Sequence, residues 1–486
     1  MLSEQIAAQL QRDGPAPLAE QVYGAMRTLV LAAVLKPGQR LPPSRQLAQD
    51  LDVSRNTILA AYARLADEGY LAGRVGAGSY VAETLPEARL HAKPGTVARE
   101  LAGPVGGTLS QRAHAVLGEA VIADGAAFAP CVPDLSHFPF QVWQRLLSRA
   151  WRDVRMADVR YASPGGLPAL RAAIASHVQL ARQVRCTPEQ VVVVNGAQHG
   201  LDLCARLLAD HGERAWVEDP GYPGARRMFR AAGLELAPIP VDDEGLAPQE
   251  RHWRKPPRLV YITPSHQFPT GAVMSLQRRR ALLEAAAACG AWIIEDDYDG
   301  EFRFEGRPIA SLQGIDRGGR VVYLGTFSKA MFPGLRLGYL VLPESVAARF
   351  TEAASRLSFE GRQVTHAALA AFMQEGHFAA YIRRMRLLYA QRRALFAHVW
   401  QEELRELAPL AGTDAGMHVI ARLPDGMDET VSRLAQQHGI AAQALSGFYL
   451  GRPDRYGLVL GYGAVDEEAI RREGKALARL VKGALA

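Results

Sequence analysis

In the stretch VVYLGTFSKAMFPGLRLGYL, Lys329 stands just past an apolar run, beside Ser328 and Thr326 and seven residues before Arg336. A lysine at the end of a buried strand is desolvated enough to stay partly neutral, and a neutral amine condenses with an aldehyde. Ser328 and Arg336 add a hydroxyl and a guanidinium suited to a phosphate on the same molecule. A second apolar run, residues 292–294, ends in Glu295-Asp296-Asp297-Tyr298 and so puts carboxylates at a carboxyl-terminal strand edge, where open α/β sheets bind ligands. A third, residues 191–194, breaks at Asn195-Gly196-Ala197-Gln198 and restarts as a helix through Leu201, Ala205 and Leu208. Free backbone N–H groups at that restart converge on one spot and suit an anion. Taken singly, such strand-end residues are ordinary in α/β proteins; their joint order along the chain is what points to one site.

A different chemistry occupies the amino-terminal part. In PGQRLPPSRQLAQDLDVSRNTILAAYARLADEGYL, residues 37–71, Ser44 and Ser54 can each cap a helix, and Asp52-Val53 joins the two into a helix-turn-helix. The second helix opens on Ser54-Arg55-Asn56-Thr57, the positions such a motif presents to base edges in the major groove; Arg55 and Thr57 are the expected contacts. Arg45, at the start of the preceding helix, can meet phosphate together with the helix dipole. Residues 71–74 and 79–81 read as strands around Val75-Gly76-Ala77-Gly78, a wing whose Arg74, Gly76 and Gly78 would approach the DNA backbone.

These groups need elements to hold them. A stripe at Leu18, Val22, Met26, Leu29 and Ala33 predicts an amphipathic helix that runs to Val34 and ends at Lys36-Pro37-Gly38. Residues 84–114 are poor in aromatics and rich in proline and glycine, which predicts a linker between a DNA-binding domain at 1–83 and a second domain at 115–486. The second domain alternates short apolar runs (191–194, 215–217, 259–262, 292–294, 321–324) with helical stretches, which predicts a mostly parallel sheet covered by helices.

Composition bounds the rest. With 486 residues, 48% of them hydrophobic, the chain can build two or three domains. Its apolar runs are too short to span a bilayer and its start lacks a basic signal region, so a cytoplasmic protein is expected. Cys131, Cys186, Cys204 and Cys289 are scattered without CxxC spacing, which predicts buried reduced thiols and no metal site. The net charge of +6 is compatible with nucleic acid, yet residues 1–83 hold eight Lys/Arg against eight Asp/Glu, so charge alone identifies nothing.

Residues 37–71 resemble the winged helix of the GntR superfamily, and the Lys329 stretch resembles that of fold-type I aminotransferases. HQFPTG at 266–271, Val132-Pro133-Asp134 with Phe138-Pro139, and Gly416-Met417-His418 resemble the MocR-type branch of GntR regulators, so that the likeness covers nearly the whole chain. The resemblance implies a homodimeric, DNA-binding regulator with a pyridoxal 5'-phosphate (PLP) domain of the fold-type I transferase kind. Lys329 would be the Schiff-base lysine, Asp296 the partner of the pyridinium nitrogen and Tyr298 that of the ring oxygen, leaving Asp297 as a surface carboxylate. Gly196, Ala197, Gln198, Thr326, Ser328 and Arg336 would cradle the phosphate, Tyr222 would stack on the ring, and Tyr161 would reach the phosphate of the neighbouring subunit. His266 and Gln267 would belong to the loop near the ring oxygen.

Two departures set the chain apart from working aminotransferases. Phe268 stands where those enzymes carry asparagine, and Val459 stands where they carry the arginine that clamps a substrate carboxylate, unless Arg452 or Arg455 reaches in. The expectation is a regulator rather than an enzyme, with PLP itself as effector and vitamin B6 supply as target. A regulator sensing an amino acid such as GABA, or a true aminotransferase, are the alternatives.

Overall fold

The computed structural model describes residues 2–12, 14–74, 78–85, 109–110, 113, 117, 126–155, 163–304, 310–358, 361–404, 407–412 and 415–485, the side chain of Arg74 excepted. Residues Met1–Gly107 and Thr108–Ala486 form two compact units. Most of the expected linker, together with Gly76 and Tyr161, lies outside the described residues.

The smaller unit holds α1 (Leu2–Ala7), α2 (Leu18–Leu31), α3 (Ser44–Leu51), α4 (Arg55–Asp67) and the antiparallel pair β1 (Leu71–Arg74) and β2 (Gly78–Val81). Val22, Met26, Leu29, Leu47, Leu51, Ile58, Leu65 and Val81 close one core over the three longer helices, with Ile6 of α1 added to it. α2 stops at Leu31, short of the expected Val34: Ala33 adopts φ +55° and is exposed. The α3–α4 turn needs a left-handed residue at Asp52 (φ 51°), a conformation aspartate tolerates, and Arg12 holds that carboxylate at 3.0 Å. Ser44 does not cap α3. Pro43 takes the cap position in an extended conformation (φ −54°, ψ 141°), which puts Ser44 one residue inside the helix, and no side chain caps it. Ser54 does cap α4, accepting from Thr57 N at 3.1 Å.

The larger unit is built on an eight-stranded sheet of order β3-β10-β9-β8-β7-β4-β5-β6. Its strands are β3 (Val191–Val194), β4 (Arg214–Asp219), β5 (Glu235–Asp242), β6 (Gly245–Leu246), β7 (Leu259–Ile262), β8 (Trp292–Asp297), β9 (Val321–Thr326) and β10 (Gly338–Val341). β5, β4, β7, β8 and β9 run parallel; β10 is antiparallel to both β9 and β3. Both sheet faces are covered, which is why the strands read as unbroken apolar runs. Val191, Val193, Tyr323 and Tyr339 pack on one face with α5 (Phe140–Arg152) and α6 (Pro168–Arg182). The alternating Val192, Val194, Leu324 and Leu340 pack on the other with α7 (Ala197–Leu208) and α8 (Pro223–Ala231). Further along come α9 (Leu276–Cys289), α10 (Glu344–Leu357), α11 (Gln363–Gln374) and the 28-residue α12 (His377–Leu404). A four-stranded antiparallel sheet, β11 (Leu410–Ala411), β12 (His418–Leu423), β13 (Gln443–Ala444) and β14 (Tyr456–Gly461), with α13 (Met427–Gln437) and α14 (Glu467–Leu485), completes the unit. Among the described residues no helix is long and apolar enough to cross a membrane. All four cysteines are free; Cys131 and Cys204 are buried as expected, whereas Cys186 is half-buried and Cys289 exposed.

Candidate functional site

Because β3 and β9 both oppose β10, the carboxyl ends of β3, β4, β7, β8 and β9 face one edge of the sheet, and a cavity of about 710 Å³ opens there. Strand ends deliver its floor. β9 runs into the single helical turn Phe327–Ala330, which carries Ser328 and Lys329; the Thr326 side chain accepts from Ser328 N at 3.2 Å and fixes the turn. β8 delivers Asp296 and Tyr298, and Tyr222 follows β4. Of the expected site residues, Gly196, Ala197, Gln198, Tyr222, Asp296, Tyr298, Thr326, Ser328, Lys329 and Arg336 all line this cavity.

One end of the cavity suits an anion. α7 starts at Gly196, whose φ of +84° a side chain would strain, and no side chain caps the helix. Arg336 Cζ lies 4.0 Å from where a Cβ on Gly196 would stand, so a guanidinium and a free helix terminus share one spot beside Ser328. Among the described residues neither the Arg336 guanidinium nor Lys329 Nζ has a hydrogen-bond or ion-pair partner.

The other end suits a protonated ring nitrogen. Asp296 is buried; Oδ2 accepts from Tyr261 OH at 2.8 Å, and Oδ1 has no hydrogen-bond partner among the described residues. Burial pushes this carboxyl up to about 7, so a cation beside Oδ1 would restore its charge. Asp297 proves to be no surface carboxylate. It is 6% exposed, bonded by Arg182 (Nε at 2.5 Å) and by Tyr323 OH (2.5 Å), because successive residues of a strand covered on both faces are both buried.

His266 and Gln267 sit behind the wall rather than in it. Gln267 Nε2 donates to Pro220 O and Glu218 Oε2, and its Oε1 accepts from Thr270, so the amide ties the loop together. His266 Nδ1 lies 3.0 Å from Tyr298 OH and 2.9 Å from Asp299 Oδ2. Ligand atoms of His266, Asp299 and His418 come within 4.8 Å of one another, but His418 Nε2 faces Pro269 O at 3.0 Å, and the set is knit by hydrogen bonds. The sequence reading missed Cys131, Arg226, Arg227 and Tyr261, which also line the cavity. Only Arg226 had a signal, one helical turn after Tyr222.

Two sequence profiles match the chain: bacterial regulatory proteins of the gntR family over residues 18–81, and class I and II aminotransferases over residues 135–469. The chain is 32% identical over 459 residues to the HTH-type pyridoxine biosynthesis transcriptional regulator PdxR of Corynebacterium glutamicum, covering 94% of each protein. It is 41% identical over 467 residues to the "Probable rhizopine catabolism regulatory protein MocR" of Rhizobium meliloti, covering 95% of this chain and 93% of that one. The chain belongs to the MocR-type GntR regulators. Its larger unit superposes on the α-aminoadipate aminotransferase LysN of Thermus thermophilus, complexed with a phosphopyridoxyl-leucine, with a TM-score of 0.70 and 28% identity over 78% of this chain and 98% of that one. This MocR-type chain is therefore a DNA-binding transcriptional regulator with an aminotransferase fold.

The departures from aminotransferases are visible in this regulator. Val459 is fully buried in an apolar cluster with Phe268, Cys131, Ile420, Leu445 and Phe448. Arg455 turns away to Asp243 at 3.1 Å and Arg452 is exposed; neither lines the cavity.

On the DNA-binding unit, Arg45, Arg55 and Asn56 are exposed at the starts of α3 and α4, and among the described residues neither arginine pairs with an acid. Thr57 is half-buried, its Oγ1 2.8 Å from Ser54 Oγ, so these two hydroxyls are committed first to the cap. β1 ends at Arg74, opposite Gly78, which opens β2 at φ +102°. Arg40, which the sequence reading passed over, brings its Nε to 3.5 Å from where a Cβ on Gly78 would stand and adds a cation beside the wing.

Proposed function

We propose that this regulator holds PLP covalently at Lys329 and that occupancy of the site sets its affinity for operator DNA. The observation that carries the reading is the convergence on one cavity of a lysine, a helix terminus with Arg336, and a buried carboxylate; among the described residues neither the lysine amine nor the second carboxylate oxygen has a hydrogen-bond partner. When bound, the cofactor supplies an aldehyde for an amine and a ring that draws electrons. The chain's own residues do the rest. Gly196, Ala197, Gln198, Ser328, Thr326 and Arg336 bind the phosphate, Asp296 pairs with the ring nitrogen, Tyr222 packs on the ring and Tyr298 meets its oxygen.

The domain acts as a sensor and not as an aminotransferase, because Val459 gives a substrate carboxylate no charged partner at the usual place and Phe268 offers the ring oxygen no donor. PLP itself is the effector on this reading, in line with the pyridoxine biosynthesis regulator it resembles. A second reading, an amino compound as effector, is favoured by Ser432, Gln436, Gln443 and Tyr449, polar residues that line the same cavity and have no role towards the cofactor, and by the rhizopine catabolism relative. Arg55, Asn56 and Thr57 contact bases; Ser44, Ser54, Arg45, Arg74, Gly76 and Gly78 contact or approach the DNA backbone. The regulator works as a homodimer in the cytoplasm, with Tyr161 lent across to the partner's site.

Operator binding by full-length protein and by Lys329→Ala, with PLP absent, with PLP, and with PLP plus a panel of amines, tests this. A PLP-dependent change of about 5- to 150-fold that Lys329→Ala abolishes supports PLP as effector. A change only when an amine is added supports the second reading. Steady-state transamination near about 1 per second or faster overturns the sensor assignment.

A further inference from the structure

Tyr298 has one hydroxyl hydrogen to give, and its oxygen lies 3.0 Å from His266 Nδ1. The same nitrogen lies 2.9 Å from Asp299 Oδ2, with the His266 and Asp299 side chains 4% and 2% exposed. A ring nitrogen between two oxygens has two states with opposite consequences. If Nδ1 carries hydrogen, it donates to the carboxylate and, shared, to the phenol oxygen, and the phenol hydrogen is free to turn into the cavity. If Nδ1 is bare, it takes the phenol hydrogen, and Tyr298 shows the cavity only lone pairs. The hydrogen-bond partner of one ring nitrogen decides the tautomer.

Two observations choose between them. Burial raises the pKa of Asp299 while the contact with His266 lowers it; as a carboxylate Asp299 only accepts, and so it selects Nδ1–H. Among the described residues His266 Nε2 is buried without a partner, and a hydrogen there would be a buried donor with none of them to receive it. The ring facing His266 is His418, 5.1 Å away, whose Nε2 faces Pro269 O and which burial keeps neutral by lowering its pKa to about 3. The charged groups that face the pair are Arg182, paired to Asp297, and Arg303, which line a small cavity with it, and Glu301 beside Asp299.

We infer that Asp299 and His266 are positioning residues: Asp299 fixes His266 as the Nδ1–H tautomer, and this fixes the Tyr298 hydroxyl as a donor aimed into the cavity. The inference rests on the PLP reading above, in which Tyr298 meets the ring oxygen. Phe268, which has no donor, makes the Tyr298 hydroxyl the group on which that contact depends.

The test is a pH titration of the visible absorption band of the full-length, PLP-loaded protein, for wild type, Tyr298→Phe, Asp299→Asn, and Asp299→Asn with His266→Phe. A donor on the ring oxygen draws electron density and lowers the proton affinity of the nitrogen joining Lys329 to the cofactor. Losing it in Tyr298→Phe raises the midpoint by about one to two pH units. Asp299→Asn is expected to raise it at least half as far, since a neutral amide no longer favours Nδ1–H as an anion does, and a bare Nδ1 then accepts the phenol hydrogen. Loss of the negative charge alone would lower the midpoint, so the sign separates the two. Adding His266→Phe removes the competing acceptor and returns the midpoint towards wild type, which a merely structural lesion would not do. An unchanged or lowered midpoint in Asp299→Asn overturns the inference. Should these variants not fold, imidazole nitrogen NMR on wild type decides: Nδ1–H supports it and Nε2–H overturns it. A wild type that gives no visible band with PLP fails the PLP reading itself, and this inference with it.

Discussion

Removing the charge of Asp296 has opposite effects on the ligand-free and the PLP-loaded protein. Its carboxyl is buried, Tyr261 satisfies one oxygen, and no group among the described residues satisfies the other. Burial raises its pKa from 3.8 to about 7, which at about 1.36 kcal/mol per unit is a penalty of about 4 kcal/mol on the ligand-free fold above pH 7. The raised value means that the folded state binds more protons than the unfolded one between these two values, so stability falls as pH rises through that window. Asp296→Asn keeps the Tyr261 hydrogen bond and has no charge to bury, though its amide N–H then lacks a partner at about 1–3 kcal/mol. The ligand-free variant should therefore be less stable than wild type by up to about 2 kcal/mol near about pH 4, where the amide cost stands alone, and more stable by about 1–3 kcal/mol near about pH 8. With PLP the order reverses: losing a charge-assisted bond of about 1.5–3 kcal/mol weakens cofactor binding roughly 10- to 150-fold. Urea unfolding at both pH values, with and without PLP, and a fluorescence titration of PLP measure all of these quantities. A variant destabilised equally at both pH values, or one that binds PLP as wild type does, would refute the reasoning.

Arg182→Met should destabilise the larger unit by about 3–5 kcal/mol in the same unfolding assay, since it strands the Asp297 carboxylate in the core. Ser54→Ala should lower stability of the DNA-binding unit by about 1 kcal/mol, read from its thermal melt, because the Thr57 N–H loses its acceptor. Arg55→Ala should cost about 1–3 kcal/mol of operator affinity and relax the base preference at one position, whereas Arg45→Ala should weaken all sequences alike and reduce the salt slope by about 1. Equal effects of the two on specific and nonspecific DNA would contradict this division.

Much of the fold and of the candidate site was legible because the signals were local. Runs such as 191–194 and 321–324 could only be strands covered on both faces, and the breaks after them marked where side chains reach the sheet edge. The Ser54 cap could be read from a short polar residue ahead of an apolar period. Legibility failed where neighbours in space decide. Asp296 and Asp297 are chemically alike and adjacent; only Arg182 and Tyr323 around Asp297, against Tyr261 alone beside Asp296, leave one carboxylate fully paired and the other with an open oxygen among the described residues. Ser44 looked like Ser54, but Pro43 before it takes the cap position.

The sequence by itself determined which residues lie at strand ends and helix starts, since periodicity, caps and turn chemistry act over a few residues. It therefore determined the winged helix, the α/β sheet and the order of Gly196, Tyr222, Asp296 and Lys329 along the chain. What only the tertiary structure decided is which polar atoms are left without partners once everything is packed. The free oxygen of Asp296, the closed amide of Gln267, the His266–Asp299 pair behind Tyr298 and the apolar cluster around Val459 each depend on residues tens to hundreds of positions apart. Burial and hydrogen-bond competition are properties of the packed assembly, and no local pattern records them.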